Sequence, residues 1–76
     1  MKVLIIGGAG FLGYNLSQYL SKKNFIIDII DDFSRKTSTK DIELLKENKN
    51  INIINGNLLD LYKNKAIRND YNIIFH

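Results

Sequence analysis

The chain has 76 residues, 11 Lys and Arg against 8 Asp and Glu for a formal charge of +3, 45% apolar side chains, one His, no Cys and no Pro. A chain of this size buries only about 60 to 65% of its unfolded surface, so it holds one modest core and cannot house both a cofactor domain and a substrate domain. The lack of cysteine excludes a disulfide scaffold, a thiolate zinc site and thiol catalysis, and the single His76 cannot build a histidine metal cluster. Ile, Asn and Lys number 13, 10 and 9, and the lysines are spread along the chain. A nucleic-acid partner would call for a clustered basic face, so none is expected. The apolar opening run Met1 to Ala9 is too short for a membrane span, and glycines interrupt it where a signal peptide would keep its apolar segment continuous. The expectation is a cytoplasmic protein with no membrane attachment. No repeat or linker divides residues 1–76.

Lys2-Val3-Leu4-Ile5-Ile6 is a continuous apolar, β-branched run ending at Gly7-Gly8, the pattern of a strand buried on both faces in a parallel sheet. From Phe11 the period changes. Leu12, Leu16 and Leu20 recur every four residues with Asn15, Gln18 and Lys22 between them, predicting a helix closed by Lys22-Lys23, where cations suit the negative end of its dipole. Phe25 to Ile30 predicts a second strand, in which Asp28 is the residue least suited to burial, and the polar cluster Asp31 to Thr39 ends it. Ser38 followed by Asp41 resembles a capping box, with Ile42, Leu44 and Leu45 giving an apolar face to a helix that runs to about Asn48. Ile51 to Ile54 reads as a third strand, Leu58 to Arg68 as a short helix, and Tyr71 to Phe75 as a fourth strand. Strands and helices alternating at this spacing imply crossovers onto a parallel sheet. The predicted class is α/β, the first half of a Rossmann-like doubly wound fold with strand order 3-2-1-4.

Gly7-Gly8-Ala9-Gly10-Phe11-Leu12-Gly13 lies between the first strand and the first helix, where free backbone amides and the helix dipole favour an anion. Missing β-carbons let a pyrophosphate approach the main chain. The run satisfies both Gly8-x-Gly10-x-x-Gly13 and Gly7-x-x-Gly10-x-x-Gly13, and an acidic residue, Asp31, ends the next strand 18 residues after Gly13. That is where a ribose would present its hydroxyls, so the conjunction points to a dinucleotide. Gly13 serves helix packing in this reading. Of the adjacent pair Asp31 and Asp32, Asp31 directly ends the apolar run and is assigned to the ribose. A carboxylate there accepts from hydroxyls and repels a 2′-phosphate, favouring NAD over NADP, while Arg35 and Lys36 read as solvated loop cations.

These residues, with Asp31-Asp32-Phe33-Ser34, Asn55-Gly56-Asn57-Leu58 and Tyr71-Asn72-Ile73-Ile74-Phe75-His76, make the chain resemble the amino-terminal part of the extended short-chain dehydrogenases. These are the NAD-dependent nucleotide-sugar epimerases and dehydratases, a group that includes UDP-glucose 4-epimerase. The resemblance implies that Gly7, Gly10, Phe11 and Leu12 line the pyrophosphate and that Asp31 holds the adenosine ribose. It places Asp32, Phe33 and Ser34 around that ribose and the adenine. Asn57 and Leu58 fall where the family has an Asp and an apolar residue beside the adenine; the Asn57 amide oxygen can still accept from the exocyclic amine. Ile6 stands where a Thr is common, and His76 matches the His of a His-x-Ala-Ala segment, with no catalytic role assigned to it.

The family's chemistry rests on a Tyr-x-x-x-Lys pair far downstream. Tyr19-x-x-x-Lys23 matches formally, but Tyr19 lies eight residues past Phe11, about 12 Å along the helix from the phosphates at 1.5 Å per residue. It is read as a surface tyrosine. The expectation is therefore the ADP-binding part of an NAD-dependent nucleotide-sugar epimerase or dehydratase, with no catalytic residue, no metal and no activity of its own. Nucleotide-sugar substrate and a homodimer would belong to a full-length parent. The alternative from another class is a non-catalytic NAD-sensing module; flavin binding through Gly8-x-Gly10-x-x-Gly13 suits the later segments less well.

Overall fold

The computed structural model describes residues 1–7, 10–33 and 39–76, and of Phe11, Leu12 and Thr39 the backbone alone. Gly8, Ala9, Ser34, Arg35, Lys36 and the proposed capping residue Ser38 lie outside the described residues. The elements are β1 (Lys2–Ile6), α1 (Phe11–Ser21), β2 (Ile26–Asp31), α2 (Thr39–Glu47), β3 (Ile51–Asn55), α3 (Leu58–Lys63) and β4 (Ile73–Phe75). The four strands pair in parallel in the order β3-β2-β1-β4. This is the Rossmann-like order expected from the alternation of strands and helices.

The two-residue period of the strands explains where the core sits. Val3 and Ile5 of β1, Ile27 and Ile29 of β2 and Ile51 of β3 form one buried cluster with Leu20 of α1 and Leu45 of α2. Each such side chain contributes about 1.5 to 3 kcal/mol on leaving water. Leu16 packs against the cluster only partly buried, and the α1 positions pressed hardest are Ser17 and Ser21, at 0% and 7% exposure. The contact face of α1 is therefore rotated from the leucine stripe. Small side chains there let the helix approach the sheet closely, which leucines would prevent.

Ser21 is satisfied, donating to the Gln18 carbonyl at 2.9 Å and accepting from Asn48 Nδ2 at 2.8 Å, which ties α1 to the turn before β3. The buried Ser17 hydroxyl has no hydrogen-bond partner among the described residues. Leaving a hydroxyl unpaired costs about 1 to 3 kcal/mol, and alanine is also the better helix former. Ser17→Ala is accordingly expected to raise stability by about 1 kcal/mol, read as a higher urea midpoint; a lower midpoint would mean that the hydroxyl is paired in solution.

The helix ends follow from backbone bonding. Asn24 (φ 63) and Lys65 (φ 55) adopt the left-handed conformation. After α1, Asn24 N donates to the Ser21 carbonyl and Phe25 N to that of Leu20; after α3, Lys65 N donates to Tyr62 and Ala66 N to Leu61. These are paired Schellman bonds. Phe25 is consumed in closing α1, so β2 begins one residue later than its apolar run implies. The second closure stops α3 at Lys63 instead of near Arg68. At the other end, β2 gains Asp31, which pairs with Asn55 of β3.

β4 starts two residues later than expected because Tyr71 and Asn72 bond differently. Asn72 N donates to the Lys2 carbonyl at 2.8 Å and Asn72 Oδ1 accepts from Lys2 N at 2.8 Å. Tyr71 instead sends its hydroxyl to Asp28 Oδ2 at 2.6 Å. Asp28 is buried at 2% exposure on the sheet face opposite the core, where Arg68 Nε also reaches its Oδ2 at 2.9 Å and Asn52 Nδ2 its Oδ1 at 3.4 Å. The charge that looked least suited to this strand is buried with three partners. Burial, reinforced by the hydrogen bond to the Asp28 carboxylate, pushes the Tyr71 hydroxyl well above the usual tyrosine range, so it remains a donor.

Candidate functional site

Because all strands run in one direction, their carboxyl ends at Ile6, Asp31, Asn55 and Phe75 share one edge of the sheet. Open α/β sheets bind ligands outside this edge, where the strand order reverses. A cleft of about 290 Å³ opens there, lined by Ile6 and Gly7 after β1, by Ile30, Asp31 and Asp32 of β2, by Gly56, Asn57 and Leu58 after β3, and by His76 after β4. A larger groove of about 530 Å³ lies over the opposite sheet face, lined mainly by apolar residues such as Leu4, Leu59 and Ile74. The smaller cleft is the better candidate. It gathers a carboxylate and glycine backbone at a strand-to-helix turn, and the groove offers no such convergence.

The turn after β1 is made by Gly7, whose φ of +75 is open to glycine and strained for other residues, and whose amide donates to the Ile30 carbonyl at 2.7 Å. Gly10 caps α1 with ordinary extended geometry, no side-chain cap and no acidic residue in the first turn. The first turn of this eleven-residue helix thus supplies no anion of its own to the positive end of the dipole. Among the described residues, a β-carbon added at Gly7 or Gly10 would meet nothing within 4 Å.

Asp31 is half-buried, and its Oδ1 accepts from Phe33 N at 2.8 Å, a turn that holds the carboxylate and sets Phe33 at φ 57. Its carbonyl accepts from Gly56 N at 3.1 Å, fastening the ends of β2 and β3 together. Gly56 has φ +152, and a β-carbon there would press on the Leu61 side chain at 3.3 Å. Asn57 Oδ1 accepts from Leu59 N at 2.9 Å and from Asp60 N at 3.4 Å, capping α3.

The structure therefore brings Gly7, Asp31, Asp32, Asn57 and Leu58 around one cleft, whose lining does not include Gly10 or Phe33. Phe11 and Leu12 open α1 by their backbone, their side chains being outside the described residues, as is Ser34 entirely. Gly56 was not among the expected site residues. Its signal was a lone glycine between a strand and a helix, which a positive φ and the approach of Leu61 now account for. Tyr19 is 59% exposed near the far end of α1, with Lys23 Nζ 5.0 Å from its ring centre, an external cation–π pair. Among the described residues there is no group of three or more potential metal ligands, and no helix is long and apolar enough to cross a membrane.

Residues 4–75 match the model of the family described as GDP-mannose 4,6 dehydratase. Over 75 residues the chain is 35% identical to the UDP-N-acetyl-alpha-D-glucosaminuronate decarboxylase of Bacillus cytotoxicus, covering 99% of this chain and 22% of that protein. Over 58 residues it is 34% identical to the CDP-paratose 2-epimerase of Salmonella typhi, covering 76% of this chain and 17% of the relative. Among solved structures, a mutant UDP-glucuronic acid 4-epimerase from Bacillus cereus, in complex with NAD and UDP-4-deoxy-4-fluoro-glucuronic acid, superposes with a TM-score of 0.81. The identity is 30%, over 100% of this chain and 26% of that one. The chain spans about a fifth of the length of the curated relatives it matches.

Proposed function

Because this chain belongs to the GDP-mannose 4,6 dehydratase family, among nucleotide-sugar epimerases and dehydratases, we propose that it binds the ADP half of NAD as part of such an enzyme. The observation that carries this reading is Asp31, a half-buried carboxylate held at the carboxyl end of β2 in the same cleft as Gly7. In this reading its carboxylate accepts from the adenosine ribose hydroxyls. The amides at the start of α1, with Gly7 and Gly10 lacking side chains, receive the pyrophosphate. Asp32, Phe33 and Ser34 border the ribose and adenine, with Asn57 and Leu58 on the other side of the ring.

Asn57 has a competing duty, since its side-chain oxygen already caps α3. An adenine amine would have to share that oxygen. NAD supplies a hydride acceptor at its nicotinamide, and this chain's part is to hold the adenosine end in register for it. Activity, nucleotide-sugar substrate and any homodimer belong to the longer architecture of the relatives.

Titration of the isotope-labelled chain with NAD and NADP, followed by amide chemical shifts, tests the proposal. NAD is expected to shift the amides of Gly7, Gly10, Asp31 and Asn57, and NADP to bind more weakly because Asp31 repels its 2′-phosphate. The absence of shifts with either nucleotide would sink the reading. Tighter binding of NADP would overturn the role given to Asp31.

A further inference from the structure

Residues 57–76 contain no buried residue, although they supply a helix and a strand. An apolar core therefore does little to hold this quarter of the chain in place. Apart from the β1–β4 ladder and Ile73, which packs partly buried against the core cluster, polar contacts attach it. Arg68 and Tyr71 reach the buried Asp28 carboxylate from the α3–β4 connection, Asp70 pairs with Lys2, and Asn72 bonds both backbone groups of Lys2. Asp28 sits at mid-strand, level with Leu4 of β1 and Asn52 of β3, so its carboxylate is fixed by the most protected part of the sheet.

A carboxylate at that depth is costly unless partnered, whereas an apolar residue would fit this strand without partners. Its presence makes the position of residues 64–75 conditional on Arg68 and Tyr71 being docked. We propose that Asp28 is a latch: its contacts with Arg68 and Tyr71 hold the α3–β4 connection and β4 on the sheet as a unit that can open while β1, β2 and β3 stay folded. β4 leads into His76, a wall of the strand-end cleft, so opening the unit removes one side of that cleft. This last consequence for ligand binding rests on the nucleotide reading; the latch itself does not.

Amide hydrogen exchange of the 76-residue chain without ligand tests the latch, comparing wild type with Asp28→Asn, Arg68→Ala and Tyr71→Phe. The latter two alter side chains that are not buried and guard against a core variant that fails to fold. Each is expected to speed exchange of the Asn72 to Phe75 amides by tenfold or more while the β2–β3 ladder amides keep their wild-type rates. Equal acceleration in all strands, or no acceleration in β4, would overturn the proposal. Failure of NAD to bind leaves this experiment unaffected. If NAD does bind, the variants should lose affinity in proportion to the open fraction measured by exchange.

Discussion

Asp31→Ala is expected to weaken NAD binding by about a hundredfold, equivalent to about 2.7 kcal/mol. The figure follows from two hydroxyl hydrogen bonds to an ionised acceptor, each worth about 1.5 to 3 kcal/mol net and taken at the low end because the carboxylate is only half-buried. The substitution also removes the acceptor for Phe33 N, so some of the loss could come from a relaxed loop. Asp31→Asn separates the two contributions, since an amide oxygen can keep the Phe33 bond while the negative charge is gone. The asparagine variant should retain the fold, lose about tenfold in NAD affinity and narrow the gap between NAD and NADP. Calorimetric titration of both variants reads these values. If Asp31→Ala binds normally and Asp32→Ala does not, the ribose carboxylate is the neighbour.

The legibility of this site in the sequence has a physical basis. Strand and helix periodicity placed the four strand ends correctly to within a residue or two, and a parallel sheet brings such ends to a common edge whatever the details between them. Gly7 and Asp31 were therefore readable as partners although 24 residues separate them in the chain. The errors arose where backbone bonding overrides side-chain pattern. Phe25 looks like strand but closes a helix, and Lys65 in a left-handed conformation ends α3 in the middle of a polar run. The rotated face of α1 was hidden because serines at a close helix–sheet contact carry no apolar signal. Asp28 was recognisable as an anomaly, but its partners come from 24, 40 and 43 residues away, and no local pattern announces them.

Gly7→Ala and Gly10→Val are expected to fail in opposite ways, and the contrast decides whether the glycines serve the turn or the ligand. Gly7 has φ +75, so an alanine there costs about 1 to 2 kcal/mol of stability even though its methyl meets no neighbour among the described residues. Against a total of about 4 to 11 kcal/mol for a chain this long, that loss is visible in any unfolding curve. Gly10 has φ −79 and ψ −178, a conformation that valine adopts readily, and its β-carbon would also meet none of the described residues within 4 Å. Gly10→Val should therefore leave unfolding within about 1 kcal/mol of wild type, the difference being the loss of a favoured cap residue. Its methyls would stand where a pyrophosphate must meet the backbone, and NAD affinity should fall by a hundredfold or more. Denaturant unfolding of both variants and NAD titration of Gly10→Val give three measurements with one expected pattern. Were Gly10→Val to bind NAD as wild type does, the glycine at the head of α1 would serve the turn alone, and the pyrophosphate site would have to be sought elsewhere along the strand ends.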